Sequence, residues 1–354
     1  MRFAVFVIIV FALFLGVRET TADDCPQYSA GVAVGALESP LINEASGIAA
    51  SRQNINVLWT HNDSGDSARV FAMSLDGTHL GTYNLSGASA RDYEDIAIGP
   101  GPVEGLDYLY IGDIGDNDGQ YTYVIVYRVA EPIVDSNQLP VNLTLTGVDS
   151  IRLQYPGGPR DAETLMVDPV TKDIYIISKR TSYSQVYRAV YPQSTSSTTM
   201  MEYKTQLPWS WAVGGDISPA GNIVIVRGYD DASVWYLGED ANLWDAFAGQ
   251  ECIVPLKKIE PQGEAICFNA EGCGYYTVSE SLYQPIYYFE RQGQCNMAGD
   301  IIDDGIVNFM DFAAFADAWP LGDIEVIDLD NNGMVDYRDL GVFVNNWLEM
   351  EVWP

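Results

Sequence analysis

Two twelve-residue stretches near the C-terminus, Asp300–Asp311 and Asp328–Asp339, carry carboxylates and amides at the spacing that a hard cation requires. They lie 28 positions apart, align without a gap, and each is followed by a short amphipathic run ending in Trp319 or Trp347. Calcium takes about six to eight oxygen ligands. A loop can wrap it with short oxygen-bearing side chains, one backbone carbonyl and a glycine at the sharp turn. In the second stretch the ligands read Asp328, Asp330, Asn332, the Met334 carbonyl, Asp336 and Asp339, around Gly333. In the first they read Asp300, Asp304, the Ile306 carbonyl, Asn308 and Asp311, around Gly305. Ile302 takes the place of one side-chain ligand there, so this loop is expected to bind more weakly unless Asp303 or water substitutes.

An ordinary EF-hand ends its loop with Glu and has a helix on both sides. A loop followed by one helix, duplicated and ending in Asp, resembles a type I dockerin, and the resemblance covers about residues 295–350. It implies a small all-α calcium module that attaches the chain to a cohesin-like protein or cell-surface scaffold. Such a module says how a protein is attached and leaves open what it does.

The other elements must supply the activity. Residues 1–22 read as a signal peptide: Arg2, an apolar run from Phe3 to Val17, then Thr20-Thr21-Ala22 as a small-residue cleavage site. The apolar run is too short for an ordinary membrane span, and no later stretch is long enough, so the chain is expected to be secreted or held at the cell surface. Export makes the five cysteines disulfide candidates. Cys267 and Cys273 flank a tight turn and suit a hairpin staple. Cys25 suits a bond to Cys252 or Cys295 that ties the chain ends, and one thiol is left over. With 18 basic and 49 acidic residues and a net charge of −31, nucleic acid and anionic membranes are poor partners.

Between about 26 and 294 a phrase recurs: an acidic or small residue, a short apolar strand, a turn, then two further strands. Copies begin at Ser46, Glu94, Glu163, Gly215 and Glu264. A period near fifty with Gly, Pro and Asp turns predicts a mainly β fold, a five- or six-bladed β-propeller. The long interval from Glu94 to Glu163 leaves room for an insertion around 131–155 or a decayed blade. Tyr28–Leu37 is strand-like and is expected to close the last blade, with Cys25 reinforcing the closure. Phrases such as Arg91-Asp92-Tyr93-Glu94-Asp95 and Tyr108-Leu109-Tyr110-Ile111-Gly112-Asp113 make this region similar to secreted phytase-like and lactonase-like propellers. Lactonase-like propellers hold a calcium ion at their centre.

Inner strands of a propeller line its channel, so Glu44, Asp92, Glu94, Asp161, Glu163, Asp216 and Glu264 are expected to gather around one axis. Carboxylates gathered this way repel, which raises their pKa values or calls for a cation; the alternative is that they latch neighbouring blades together. A second set follows the second strands. His61 beside Asp63 suits a general base. Asn62, Asp113, Asp116, Asn117, Lys179, Arg180, Arg227 and Glu280 suit ligand binding, the three cations either holding an anionic group or neutralising the ring. No Gly-x-Ser-x-Gly elbow or phosphate loop is present. Two functions follow: a propeller that binds an extracellular glycan or protein, or a calcium-dependent hydrolase of an ester, lactone, phosphoester or polysaccharide-derived substrate. Aromatics are abundant, but the sequence does not single out a sugar-stacking platform among them.

Overall fold

The computed structural model describes residues 25–238, 241–258, 260–292, 299, 301–302, 307–319, 327, 329, 335–345 and 347. The expected signal peptide lies outside the described residues, as do Asp300, Asp304, Ile306, Asp328, Asp330, Asn332 and Met334.

The chain enters through β1 (Gln27–Tyr28) and β2 (Val32–Ala36), then lays down a first sheet from β3 (Ala45–Ala50), β4 (Val57–Asn62), β5 (Arg69–Ser74) and β6 (His79–Leu85). A second sheet follows with β7 (Tyr93–Pro100), β8 (Asp107–Asp113) and β9 (Val124–Ala130). β10 (Val141–Leu145) then turns back to pair in parallel with β6, and β11 (Asp149–Gln154) resumes the second sheet beside β9. The third sheet takes β12 (Ala162–Val167), β13 (Ile174–Ser178) and β14 (Gln185–Ala189). β15 (Thr199–Met200) pairs back onto β11, and β16 (Glu202–Gln206) joins β14. The fourth sheet takes β17 (Gly214–Ile217), β18 (Ile223–Arg227), β19 (Ala232–Tyr236) and β20 (Cys252–Val254), with the short α1 (Leu243–Ala246) in the connection between the last two. The fifth takes β21 (Gly263–Phe268), β22 (Gly274–Ser279) and β23 (Pro285–Gln292), with β1 and β2 both pairing antiparallel to β23.

These are the blades of a five-bladed β-propeller. Each inner strand contacts the next, β3 to β7, β12, β17 and β21 and back to β3, which closes the ring. Five apolar cores lie between successive blades. Trp59 and Ile111 join the first to the second, Tyr110 and Leu165 the second to the third, and Tyr175 and Trp235 the third to the fourth. Val234 and Phe289 join the fourth to the fifth, and Phe71 and Val278 close the fifth on the first. Burial follows radius. β3, β4, β12, β13, β18, β21 and β22 are buried along their whole length, whereas β2, β10 and β16 are largely exposed. Inner strands covered on both faces therefore read as continuous apolar runs, the texture that marked the repeats.

The long interval between the second and third repeats holds an insertion, not a sixth blade. Glu131 opens it and is buried against the first blade, where it accepts hydrogen bonds from Trp59 Nε1 at 2.8 Å and Asn54 Nδ2 at 3.0 Å. The N-terminal strands close the last blade as their pattern suggested. Cys25 bonds to Cys252 on the outer strand of the fourth blade, 227 residues away. The expected Cys267–Cys273 staple is corrected: Cys267 is a free thiol buried on an inner strand between blades, while Cys273 is disulfide-bonded elsewhere.

Beyond the propeller, α2 (Phe309–Ala318) and α3 (Tyr337–Asn345) start 28 residues apart. Phe315 and Phe343, equivalent under that shift, are both buried and their rings meet at 5.3 Å. No helix among the described residues is long and apolar enough to cross a membrane.

Two aspartates latch blades. Asp95 accepts from Ile96 N at 2.9 Å on its own strand and from Leu165 N at 2.9 Å on the third blade. Asp216 does the same with Ile217 N at 2.8 Å and Phe268 N at 2.9 Å on the fifth blade. Replacing Asp95 with Ala leaves a buried N–H without its acceptor, and we expect a loss of roughly 1–3 kcal/mol of unfolding free energy, read from the denaturant midpoint.

Candidate metal centre in the central channel

A single backbone irregularity aims the channel side chains. The antiparallel register slips by one residue between Ala45 and Gly47, Tyr93 and Asp95, Ala162 and Thr164, and Gly263 and Ala265. The residue left over at each bulge is Ser46, Glu94, Glu163 or Glu264. A bulge leaves one residue unpaired and redirects its side chain. Four blades thus present one side chain each at one level. The fourth blade pairs Gly214 and Gly215 without a slip, and its Tyr229 occupies the neighbourhood instead.

The expected ring divides into parts. Glu94, Asp161 and Glu163 bring one carboxylate oxygen each within 4.8 Å of one another, and Asp63, Asp92 and Glu94 form a second such group. Gly115 makes room for them: a Cβ there would lie 2.1 Å from Glu94 Oε1 and 2.4 Å from Asp92 Oδ2. Glu264 belongs to the network on the other side, accepting from Tyr229 OH at 2.7 Å and from Ser46 Oγ at 3.3 Å. Lys179 lies between, paired with Glu163, 3.8 Å from Glu264 Oε1 and 2.8 Å from Tyr229 OH. Arg180 reaches Asp161 Oδ2 at 2.6 Å and bonds Asn117. Glu280 sits against Glu264. Glu44 stays exposed at the rim, and Asp216 is a blade latch rather than a channel ligand.

The electrostatics are those of an anion excess. Among the described residues, Asp63, Asp92, Glu94, Asp161, Glu163, Glu264 and Glu280 face three nearby cations: Lys179, Arg180 and, beside Asp92, Arg91. Burial, then repulsion from Glu163, Asp63, Asp92 and Glu264, pushes Glu94 well above the usual carboxylate range. Burial and Glu264 raise Glu163 to about 8 against the opposing pull of Lys179, and burial and Glu264 raise Glu280 to about 8. Asp63 rises to about 6 through burial and the charges of Asp92, Glu264 and Glu44. Burial works against the Lys179 cation, but Glu163 and Glu264 overcome it and hold the proton firmly. Glu163 Oε2 is buried and has no hydrogen-bond partner among the described residues. This donor set, all carboxylate oxygen, fits a hard cation of the calcium class.

Several residues of the second set are corrected by their burial. His61 is wholly buried, its Nδ1 lies 2.9 Å from the Asn62 carbonyl, its Nε2 faces no partner, and no hydrogen bond joins it to Asp63 among the described residues. Burial lowers its pKa to about 4, so it stands neutral and away from solvent rather than as a base in reach of substrate. Asn62 spends its amide on Asn43 N, Glu44 N, Leu41 O and Asp66. Asp113 holds Asp92 N at 2.8 Å, and Asp116 holds Gln120 N and Tyr121 N. Arg227 is fully buried, bonded to Glu260 at 3.0 Å and to the Ala265 carbonyl at 3.1 Å. These four shape loops and strand ends. Asp63, Lys179, Arg180, Asn117 and Glu280 do meet the channel network. Tyr229 was missed, since a lone tyrosine in a turn carries no distinguishing signal.

No protein-family model and no curated protein matches this chain. Among solved structures, it is similar to a PQQ-bound aldose sugar dehydrogenase from Streptomyces coelicolor, at 14% identity and a TM-score of 0.41, over 75% of this chain and 100% of that one. It is also similar to a candidate 6-phosphogluconolactonase from Bacteroides uniformis, at 11% identity and a TM-score of 0.37, over 72% and 69% of the two chains.

The raised carboxylates predict a pH dependence. Their native pKa values exceed the unfolded ones, so they favour the fold in acid, and this contribution disappears as pH rises through about 6 for Asp63 and about 8 for Glu163 and Glu280. His61 acts oppositely, costing stability as pH falls from 6.5 towards about 4. With chelator present, the thermal midpoint should fall between pH 6 and about 8.5, and Glu280→Gln should flatten that fall.

Proposed function

We propose that this is an exported β-propeller protein that holds calcium on the carboxylates of its channel mouth and binds an extracellular ligand on that face. The observation that carries the reading is the Glu94–Asp161–Glu163 group with its buried, unpartnered Glu163 oxygen. Glu94, Asp161 and Glu163 are the proposed ligands, with Asp92 and Asp63 beside them. Bound calcium supplies a Lewis-acidic contact for a ligand oxygen. The chain's own residues keep Lys179 charged and hold Arg180 at the rim, and in the metal-free protein burial and Glu264 raise Glu280 to about 8, so that it is protonated near neutral pH. That last feature favours a second reading, calcium-dependent hydrolysis with Glu280 as proton donor. The ester, lactone, phosphoester and glycan substrates expected from sequence all remain compatible with it.

The C-terminal segment, about 295–350, is proposed as a dockerin-like calcium module that attaches the propeller to a cohesin-like partner or scaffold. Matched local roles support this. Asp311 accepts from Ile301 N, Ile302 N and Asn308 N, and Asp339 accepts from Asp336 N at the equivalent position. Phe309, Phe312, Tyr337 and Leu340, also matched across 28 residues, expose apolar surface suited to docking. A disulfide and the absence of a described membrane-spanning helix are compatible with export.

Calorimetric calcium titration of the full chain tests the centre. The Glu94→Gln/Glu163→Gln double variant should lose about one equivalent of calcium relative to the unsubstituted chain, with any C-terminal binding retained. Unchanged stoichiometry at unchanged affinity refutes the channel site.

A further inference from the structure

A cleft of about 520 Å³ opens between the third and fourth blades, lined by Trp209, Trp211, Tyr229, Asp230, Asp231 and Glu251 among others. Trp211 is its most unusual member. Its φ is +71°, a region that bulky side chains rarely enter, and 45% of its surface is exposed. Three hydrogen bonds fix the segment in that shape: Trp211 N to the Lys179 carbonyl at 3.1 Å, Ser184 N to the Trp209 carbonyl at 2.8 Å, and Ala212 N to Ser184 Oγ at 3.1 Å. Ser184 is fully buried. The backbone is over-determined, and its result is to hold a large indole in solvent at the channel mouth. The indole is thus held in place at a backbone cost that glycine would not carry.

The surroundings define what such an indole meets. Arg180 Cζ lies 5.3 Å and Lys179 Nζ 5.9 Å from the Trp211 ring, but both cations are already paired with Asp161 and Glu163. Trp209 is stacked on Trp235 at 6.3 Å and anchored through Nε1 to Glu251 at 2.7 Å, so this wall is rigid. Asp230 and Asp231 are exposed on the rim. The cleft therefore offers an aromatic face and oxygen acceptors around it, and the cations nearest the indole among the described residues are already paired with carboxylates, in a chain of net charge −31. An anionic ligand is repelled. A neutral sugar fits, its polarised C–H face lying on the indole and its hydroxyls donating to the carboxylates.

We infer that the Trp211 cleft is a binding subsite for a neutral saccharide, placed beside the channel by Tyr229, which bonds both Lys179 and Glu264. This rests on the ligand-binding reading of the channel face and names the class of ligand.

The test uses the full chain and four neutral trisaccharides (cellotriose, mannotriose, xylotriose and maltotriose), with trigalacturonate as the anionic comparison, followed by tryptophan fluorescence and calorimetry. The decisive variant is Trp211→Gly, which accepts the positive φ and should fold at least as stably while removing the indole. At least one neutral trisaccharide should bind below about 10 mM, and Trp211→Gly should weaken it roughly tenfold or more. No neutral trisaccharide binding at that concentration, equal binding by a folded Trp211→Gly, or tighter binding of trigalacturonate overturns the inference. Calcium titrations of the same proteins separate the two readings. Saccharide binding that survives in a Glu94→Gln/Glu163→Gln variant with unchanged calcium stoichiometry sustains the cleft and rejects the metal centre. Loss of that calcium equivalent with no saccharide binding does the reverse.

Discussion

Carboxylates crowded around one axis repel each other, and the channel mouth depends on how the propeller contains that repulsion. Five interblade cores hold the ring closed against it, because each apolar cluster fills the gap between two neighbouring sheets. Lys179 offsets part of the charge from inside the ring, and raised pKa values offset more by keeping some acids protonated. The remaining excess is the charge that the proposed cation would offset. Burying so many like charges in one place works against the stability of the fold, and the interblade cores must offset that cost.

The closure of the ring is reinforced at its seam. β1 and β2 lend their edges to β23, so the last blade is built from both ends of the propeller, and Cys25 ties the strands that begin it to the fourth blade. The outer edges are covered in a similar way: β10 pairs with β6 and β15 with β11. Covering edges in this way removes open templates for intermolecular strand pairing.

Much of the blade plan was legible in the sequence because inner strands are buried on both faces and repeat a short apolar phrase after an acidic residue. The starts at Ser46, Glu94, Glu163, Gly215 and Glu264 fall on the five inner strands for that reason. The parallel return of β10 was not legible, since an exposed strand of alternating polarity does not name its partner. Side-chain fate was the harder part. Asn62, Asp113, Asp116 and Arg227 looked like ligand residues because they are polar and follow a strand, yet each turns inward to satisfy backbone groups or a buried acid. His61 is hidden between the first and second blades: its ring lies 5.8 Å from that of Tyr93, and a Cβ at Gly47 would lie 2.7 Å both from its Nε2 and from Ile96 N of the second blade. The acidic residues that open the repeats at Glu94, Glu163 and Glu264 were legible, but not that each stands at a bulge, which only the strand register shows. Trp211 could not be told from the core tryptophans, because what sets it apart is a backbone angle.

The bulges carry one more consequence. Because each is a single surplus residue outside the ladder's pairing, its identity is free of the demands that strand register makes on its neighbours. Ser46, in the blade where the others carry Glu, shows this freedom in use. The channel mouth can therefore be rewritten one blade at a time, exchanging charge for a hydroxyl without altering the scaffold.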